Sequence, residues 1–429
     1  MKKKYRIILY TSIFLLCVVA SIILVVKKSN SVYEEESKPK VVKHKSMLSM
    51  NLEQTAGAGD YKTVTQSKWP TEGYKFNAEL SRCENGSTLS WDDTKKAVIV
   101  SGNLSDKCYV YFDIYQPTLA EYIKSQYTGT QGENSIYYHN SSLENGAGDN
   151  SYRYAGANPN NFVCFGSDAS PCPIDNLYRI IGLFGENYHG ANGKQLVKLI
   201  KYDYMTTDEL GTDGDYSQTY KEWGMDSTYK GTYGDGERIG VYYWNYKATG
   251  SATNTWSTSL LNKTNLNTNF INNIGTTWAN KIATVTWKVG GNTWANIGTK
   301  TSSVAYTNEI TNPVTTNTTD NATTYSAKIG LMYVSDYGFA ASPDAWTLTM
   351  SSYNNTTATN NNWMYMGLYE WTISRYADYS DNAFIVDYDG RVGSSFVGDY
   401  YGVRASFNLE SSVSYVSGSG SMSDPIVIN

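Results

Sequence analysis

The stretch Leu177-Tyr178-Arg179-Ile180-Ile181-Gly182-Leu183-Phe184, a Gly/Asn-rich turn, and Gln195-Leu196-Val197-Lys198-Leu199-Ile200 decide the fold class. Each arm has strand length and a run of large apolar and β-branched residues, and the turn residues break regular structure, so the pair reads as a β-hairpin. Further strands are expected downstream at Ile329-Gly330-Leu331-Met332-Tyr333-Val334 and Ala383-Phe384-Ile385-Val386, then Arg391–Val397, Gly402–Leu409 and Pro425–Ile428. Asp387-Tyr388-Asp389-Gly390 reads as a hairpin turn, because Asp and Gly adopt turn geometry readily. One segment breaks the pattern. Leu260, Leu261, Leu266, Phe270, Ile271, Ile274 and Trp278 recur at helical spacing. From Lys288 to about Ser326 the chain is rich in Asn and Thr and reads as a long loop outside the core. The class expected is α+β and β-rich.

Working upstream, Trp69 to Asp113 reads as a small β unit whose best hairpin joins Thr88-Leu89-Ser90-Trp91 to Ala97-Val98-Ile99-Val100 across Asp92–Lys95. Pro117–Ile123 then reads as a short helix with proline in its first turn. Ser29 to about Ser67, with Glu34–Glu36, scattered Lys and Ala56-Gly57-Ala58-Gly59, lacks periodic apolar residues and reads as a flexible tether. The expected organisation is an anchor at 1–28, a tether at 29–67, a β unit at 68–116, a connecting segment at 117–175 and a large domain at 176–429.

The N-terminus carries the anchor. Lys2, Lys3, Lys4 and Arg6 precede an uncharged run from Ile7 to Val26, which Lys27 and Lys28 close. About twenty residues at about 1.5 Å each cover the roughly 30 Å hydrocarbon core. A cleaved leader would have a shorter apolar region ending in small residues, whereas Ala20 and Ser21 stand inside this run. A transmembrane helix with a cytoplasmic N-terminus and an exported bulk is therefore expected, so the membrane is the first partner. Outside it lie Cys83, Cys108, Cys164 and Cys172, which fall into two local pairs, although several connectivities are open. Neither spacing suits a zinc knuckle, and disulfides are expected in an exported domain. Closing Cys83–Cys108 would stabilise by about 3–4 kcal/mol and Cys164–Cys172 by about 2.5 kcal/mol.

Composition narrows the partners. The formal net charge is −5 with interspersed signs, which argues against nucleic acid. The chain holds 38 Tyr and 11 Trp, residues that suit strands and binding surfaces alike. His44, His139 and His189 fall in no ligand spacing and read as solvent-facing loop residues. No G-x-S-x-G elbow or other catalytic constellation is present. Asp213 and Asp215, with Asp208 and Glu209 before them and Asp235 and Glu237 after, are the candidates for a Ca²⁺ site in Gly-containing loops. Solvated turns explain the same residues, and no EF-hand pattern is present.

From about Asn176 to the C-terminus, the ordered motifs LYRIIGLF, QLVKLIKYDY, TWSTSLLNKTNLNTNF, IGLMYVSDYGFA, GLYEWTISR, AFIVDYDGRV and GVRASFNLESSVSYVSGSGSMSDPIVI resemble a domain family of unknown function from bacterial surface proteins. That family is similar to the C-type-lectin-like fold shared with formylglycine-generating enzymes. The resemblance implies that Leu177–Phe184 and Pro425–Ile428 are near neighbours and that long loops cross one face. It also implies that Trp363 and Trp371 plug the core under those loops and that Arg404 pins the final strands by hydrogen bonds. This chain departs from the relatives: no cysteine follows Cys172, so a redox-active pair is missing, and Trp244-Asn245 is followed by Tyr246 without the lectin tripeptides. Ala405 stands where family members often carry proline after Val-Arg. The reading of function is a membrane-anchored, extracellular, non-enzymatic surface protein whose lectin-like recognition or adhesion domain binds a glycan, a peptide or an envelope protein. An envelope-modifying hydrolase with carboxylates that converge only in the fold, and a purely structural surface protein, are the alternatives. One fold hosts many functions, so the site has to decide.

Overall fold

The computed structural model describes residues 48–65, 68–70, 73–189, 193–224, 228–246, 252–313 and 322–429. The chain divides after Gln116 into two compact units, and the strands dominate both. The expected anchor from Ile7 to Val26, and His44, lie outside the described residues. Among the described residues no helix is long and apolar enough to cross a membrane.

The first unit contains β1 (Leu48–Glu53), β2 (Tyr61–Val64), β3 (Tyr74–Phe76), β4 (Arg82–Cys83), β5 (Thr88–Asp92), β6 (Ala97–Ser101) and β7 (Cys108–Ile114). β7 is the hub: β1 runs parallel to it, while β3 and β4 pair with it antiparallel and β2 flanks β1. Met50, Leu52, Val110 and Phe112 form the core, and the rings of Trp69, Phe76 and Trp91 close on Phe112 at 5.6–5.9 Å. β5 and β6 form the expected hairpin, and the Asp92 carboxylate accepts the amides of Thr94 and Lys95 in its turn. Cys83 and Cys108 stand opposite each other on β4 and β7 and are joined by a disulfide. Of the tether expected at 29–67, residues 29–47 lie outside the described residues, and β1 and β2 correct the part from residue 48 on. Their apolar residues are few, and β1 is held by pairing with a strand more than fifty residues away in sequence, which no local pattern announces.

The second unit opens with a helix at Leu119–Gln126. Its cap is Thr118, whose hydroxyl accepts the Glu121 amide while Glu121 returns the bond, so Pro117 lies before the helix rather than in its first turn. The main sheet follows from β8 (Ile136–Tyr138), β9 (Tyr152–Tyr154), β10 (Phe162–Cys164), β11 (Leu177–Phe184) and β12 (Leu196–Lys201). β11 and β12 form the expected hairpin and are buried on both faces. β8, β9 and β10 belong to the same sheet, so the boundary expected at 176 is not a structural one. The fold of this unit begins at Pro117.

Later strands are β13 (Tyr216–Thr219), β14 (Gly240–Tyr243), β15 (Val285–Lys288), β16 (Gly291–Asn292), β17 (Thr324–Ala327), β18 (Ile329–Gly330), β19 (Glu370–Tyr376), β20 (Asn382–Val386), β21 (Val392–Phe396), β22 (Tyr400–Tyr401), β23 (Ser406–Asn408), β24 (Tyr415–Ser417) and β25 (Val427–Ile428). β23 and β18 extend the main sheet from β12, whereas β16-β19-β20-β21 and β13-β14-β22 form separate sheets. The C-terminal segment reaches β11 only through an intermediary. Ile426 bridges Val163 on β10, and β10 in turn pairs with β11. Cys164, at the end of β10, is bonded to Cys172.

Two further expectations are corrected. The segment at 288–326 is not a loop outside the core: Ser302–Tyr306 is helical and continues in wider turns to Thr311. Ser302, Ala305, Tyr306, Glu309 and Ile310 of that helix are buried, a helical spacing built from small and polar residues that hydropathy does not register. Ile329–Val334 is only briefly a strand; β18 ends at Gly330, and Val334–Ala340 is a wholly buried helix. The helix expected from Leu260 to Trp278 spans Leu261–Phe270, Ile271–Asn273 and Gly275–Ala279, with Leu261, Leu266 and Phe270 inward.

Candidate functional site

The acidic candidates do not converge. Asp215 is fully buried, and its carboxylate accepts the amides of Leu260 and Leu261, capping the helix that follows. Asp213 accepts the Asn269 amide at 2.7 Å, while Asp235 and Glu237 both pair with the exposed Lys221. Among the described residues no group of three or more His, Cys, Asp or Glu is placed to hold a metal ion. Trp363 and Trp371 are buried, with indole N–H groups donating to the carbonyls of Tyr154 and Tyr242, each at 2.8 Å. Arg404 is buried as well. Its guanidinium grips both Glu370 oxygens at 2.8 Å and the Met364 carbonyl at 2.7 Å, so it ties the segment between β22 and β23 to β19 and the loop that precedes β19.

The histidines correct the solvent-facing reading. His139 packs on Phe339 and Trp346 with ring centroids at 4.9 and 5.1 Å, and its Nδ1 accepts the Ala147 amide. His189 packs on Tyr188, Trp287 and Tyr333. Burial, reinforced by Arg153 beside His139 and by Lys198 beside His189, pushes both imidazoles well below their ordinary range.

Near them lies a sealed charged cluster. Lys198 donates to Asp336 at 2.6 Å and to the Tyr188 hydroxyl at 2.9 Å, and Tyr188 donates to the other Asp336 oxygen at 2.5 Å. Arg153 pairs with Asp149 at 2.8 Å and lies over the rings of Phe184, Tyr306 and Phe339. Burial alone would raise the Asp149 carboxyl, but Arg153, Ser151 and Tyr306 outweigh it and hold it at about 2. Glu309 receives the amides of Val334 and Ser335 and the Ser374 hydroxyl, and burial raises its carboxyl. The heart of the cluster is closed to an external ligand: Lys198 and Asp336 side chains have 0% exposure.

The surface over β13, β14 and β22 is different. Strand alternation turns Tyr242 inward, fully buried, and Tyr243 outward; β22 then sets Tyr400 opposite Tyr243. Tyr243 contacts Tyr246 at 4.7 Å and Tyr400 at 5.7 Å, and Tyr400 contacts Trp223 at 5.8 Å. Trp223 ends a one-turn helix capped by Thr219 and Glu222, and reaches Tyr369 and Tyr401, both at 5.7 Å. Tyr369 and Tyr401 stack at 5.0 Å, and Tyr388 follows at 5.2 Å. Tyr246 is 49% exposed, the other rings of this belt are half-buried, and each ring touches the next.

Polar groups stand along the belt. Ser395 donates to Asp399 at 2.5 Å and shares a hydrogen bond with the Tyr401 hydroxyl at 2.9 Å. Asp387 holds Arg391 at 3.0 Å, and burial together with Asp387 pushes the Tyr369 phenol up to about 12. The belt is thus a neutral aromatic platform edged by carboxylates, hydroxyls and one guanidinium. No local sequence pattern marks this belt. The Tyr242-Tyr243 and Tyr400-Tyr401 doublets were the available signal, but nothing local says that they pair. A separate cleft of about 200 Å³, open solvent included, is lined by Asn254, Trp256, Tyr325 and Arg375 among others, and its lining carries no carboxylate. Comparison with protein-family models, curated proteins and solved structures found no match.

Proposed function

We propose that the chain is a membrane-anchored surface protein whose larger unit is a non-catalytic recognition module, and that this module binds a glycan along the aromatic belt. The observation that carries the reading is the row Tyr246, Tyr243, Tyr400, Trp223, Tyr369/Tyr401 and Tyr388. A pyranose ring has one apolar C–H face and a rim of hydroxyls. Aromatic rings take the face, while Asp399, Ser395 and Arg391 offer acceptors and donors for the rim. A row of rings several residues long suits an extended chain better than a single sugar. The two disulfides fit an oxidising compartment, and the apolar run from Ile7 to Val26 fits retention at the membrane.

A glycan array followed by titration calorimetry tests this. Tyr246→Ala and Trp223→Ala are each expected to weaken an identified glycan by about 1–3 kcal/mol, the scale of a lost aromatic anchor in an interface. Tyr379→Ala, at an exposed tyrosine with no part in the belt, should leave binding unchanged. Saturable glycan binding that survives both belt substitutions would remove the belt from the account.

A further inference from the structure

Across the ladder from the sealed cluster stands a buried carboxamide that hydrogen bonding leaves out at both its oxygen and its nitrogen. Asn408 on β23 has 0% exposure, and among the described residues neither its amide oxygen nor its amide nitrogen has a hydrogen-bond partner. Buried amides in native proteins are paired almost without exception. The residue directly across the antiparallel ladder from Asn408 is Lys198 on β12. Cross-strand partners project from the same face, with Cβ atoms about 5 Å apart, so the four-carbon lysine stem can bring its nitrogen to the asparagine carboxamide. The amine is also walled from water, with the rings of Tyr188, Trp287 and Tyr333 at 4.6–5.0 Å from Lys198 Nζ. Asp336 already holds that nitrogen at 2.6 Å.

We propose that Lys198 and Asn408 become joined by an intramolecular isopeptide bond, formed by the chain itself with Asp336 carrying the proton. The ammonium of Lys198 first gives a proton to Asp336. The free amine attacks Cγ of Asn408, and a C–N bond forms. The tetrahedral adduct collapses by breaking the bond between Cγ and Nδ2; Asp336 returns its proton and the lysine nitrogen gives up another, so Nδ2 departs as ammonium, that is, as ammonia carrying away the proton Lys198 first held. No oxidant, metal or external reactant enters. Burial lowers the affinity of Lys198 for its proton, in the direction the first step needs. The product suits the site, because the new N–H faces the Asp336 carboxylate and the unpaired carboxamide is consumed. Covalently, the bond would staple β12 to β23 at the middle of the main sheet.

Mass spectrometry of the reduced, denatured full-length protein, with a tryptic map, decides the matter. The expected result is a chain lighter by one ammonia, with no cleavage after Lys198 and a branched peptide joining the segments that contain Lys198 and Asn408. Asp336→Ala and Lys198→Arg should restore the sequence mass. Asn408→Asp should instead lose one water, since a carboxyl then replaces the carboxamide. Because the masses are read in denaturant, a variant that folds poorly does not confuse the wild-type result. A wild-type protein at its full sequence mass would overturn the proposal. So would a branched peptide linking Lys198 to Asp336 with loss of water.

Discussion

His139 and His189 are neutral because their surroundings give an imidazolium no water and place a cation beside each ring. In the unfolded chain both would titrate near 6.5, so between the folded and unfolded values the unfolded state binds more protons. Stability is therefore full above about pH 6.5 and falls as the pH drops below it, by about 1.4 kcal/mol per pH unit for each histidine. Melting temperatures recorded from pH 7.5 to 5.5 should decline, with the onset near 6.5. A flat profile across that window would mean that neither ring is sealed. Nothing in the local sequence marks either histidine as buried, and the cause is plain. His139 does lie outside the strands, yet its ring is enclosed by Phe339 and Trp346, about 200 residues downstream.

At the scale of the element, β11 shows how a single glycine lets three strands meet. Its register with β12 shifts between Ile180 and Gly182, and Gly182 also pairs with Arg153 on β9. A Cβ at Gly182 would stand 2.3 Å from the Tyr152 carbonyl, which is backbone and cannot swing away. Gly182→Ala is expected to destabilise by about 1–3 kcal/mol, the usual cost of overpacking, and a urea titration would measure it as a lower midpoint. A midpoint unchanged from wild type would show that β9 can retreat. The hairpin itself was legible because both arms are apolar and their partners are adjacent in sequence. The helix that starts at Ser302 and continues to Thr311 was not, because its buried stripe is Ser, Ala, Tyr, Glu and Ile rather than a run of Leu and Val.

For the whole molecule, the division after Gln116 and the placement of one disulfide in each unit lead to a separable expectation. Cys83–Cys108 closes a loop with a sequence separation of 25, for which the chain-entropy model gives about 3–4 kcal/mol. Replacing both cysteines by serine should destabilise the first unit by that amount, lowering its melting temperature, and leave the second unit's transition in place, as calorimetry would resolve. A shift of every transition together would show that the units unfold as one. What local sequence determined was the β-rich class, the Thr88–Val100 and Leu177–Ile200 hairpins, and the helical stretch after Leu260, because each depends on the period of apolar residues among near neighbours. The aromatic belt, the burial of both histidines, the parallel pairing of β1 with β7 and the cross-strand pairing of Lys198 with Asn408 were decided only in three dimensions. Each of these joins residues tens to hundreds of positions apart, and which distant strand lies beside which is set by how the whole apolar surface is best buried, a property no short window of sequence contains.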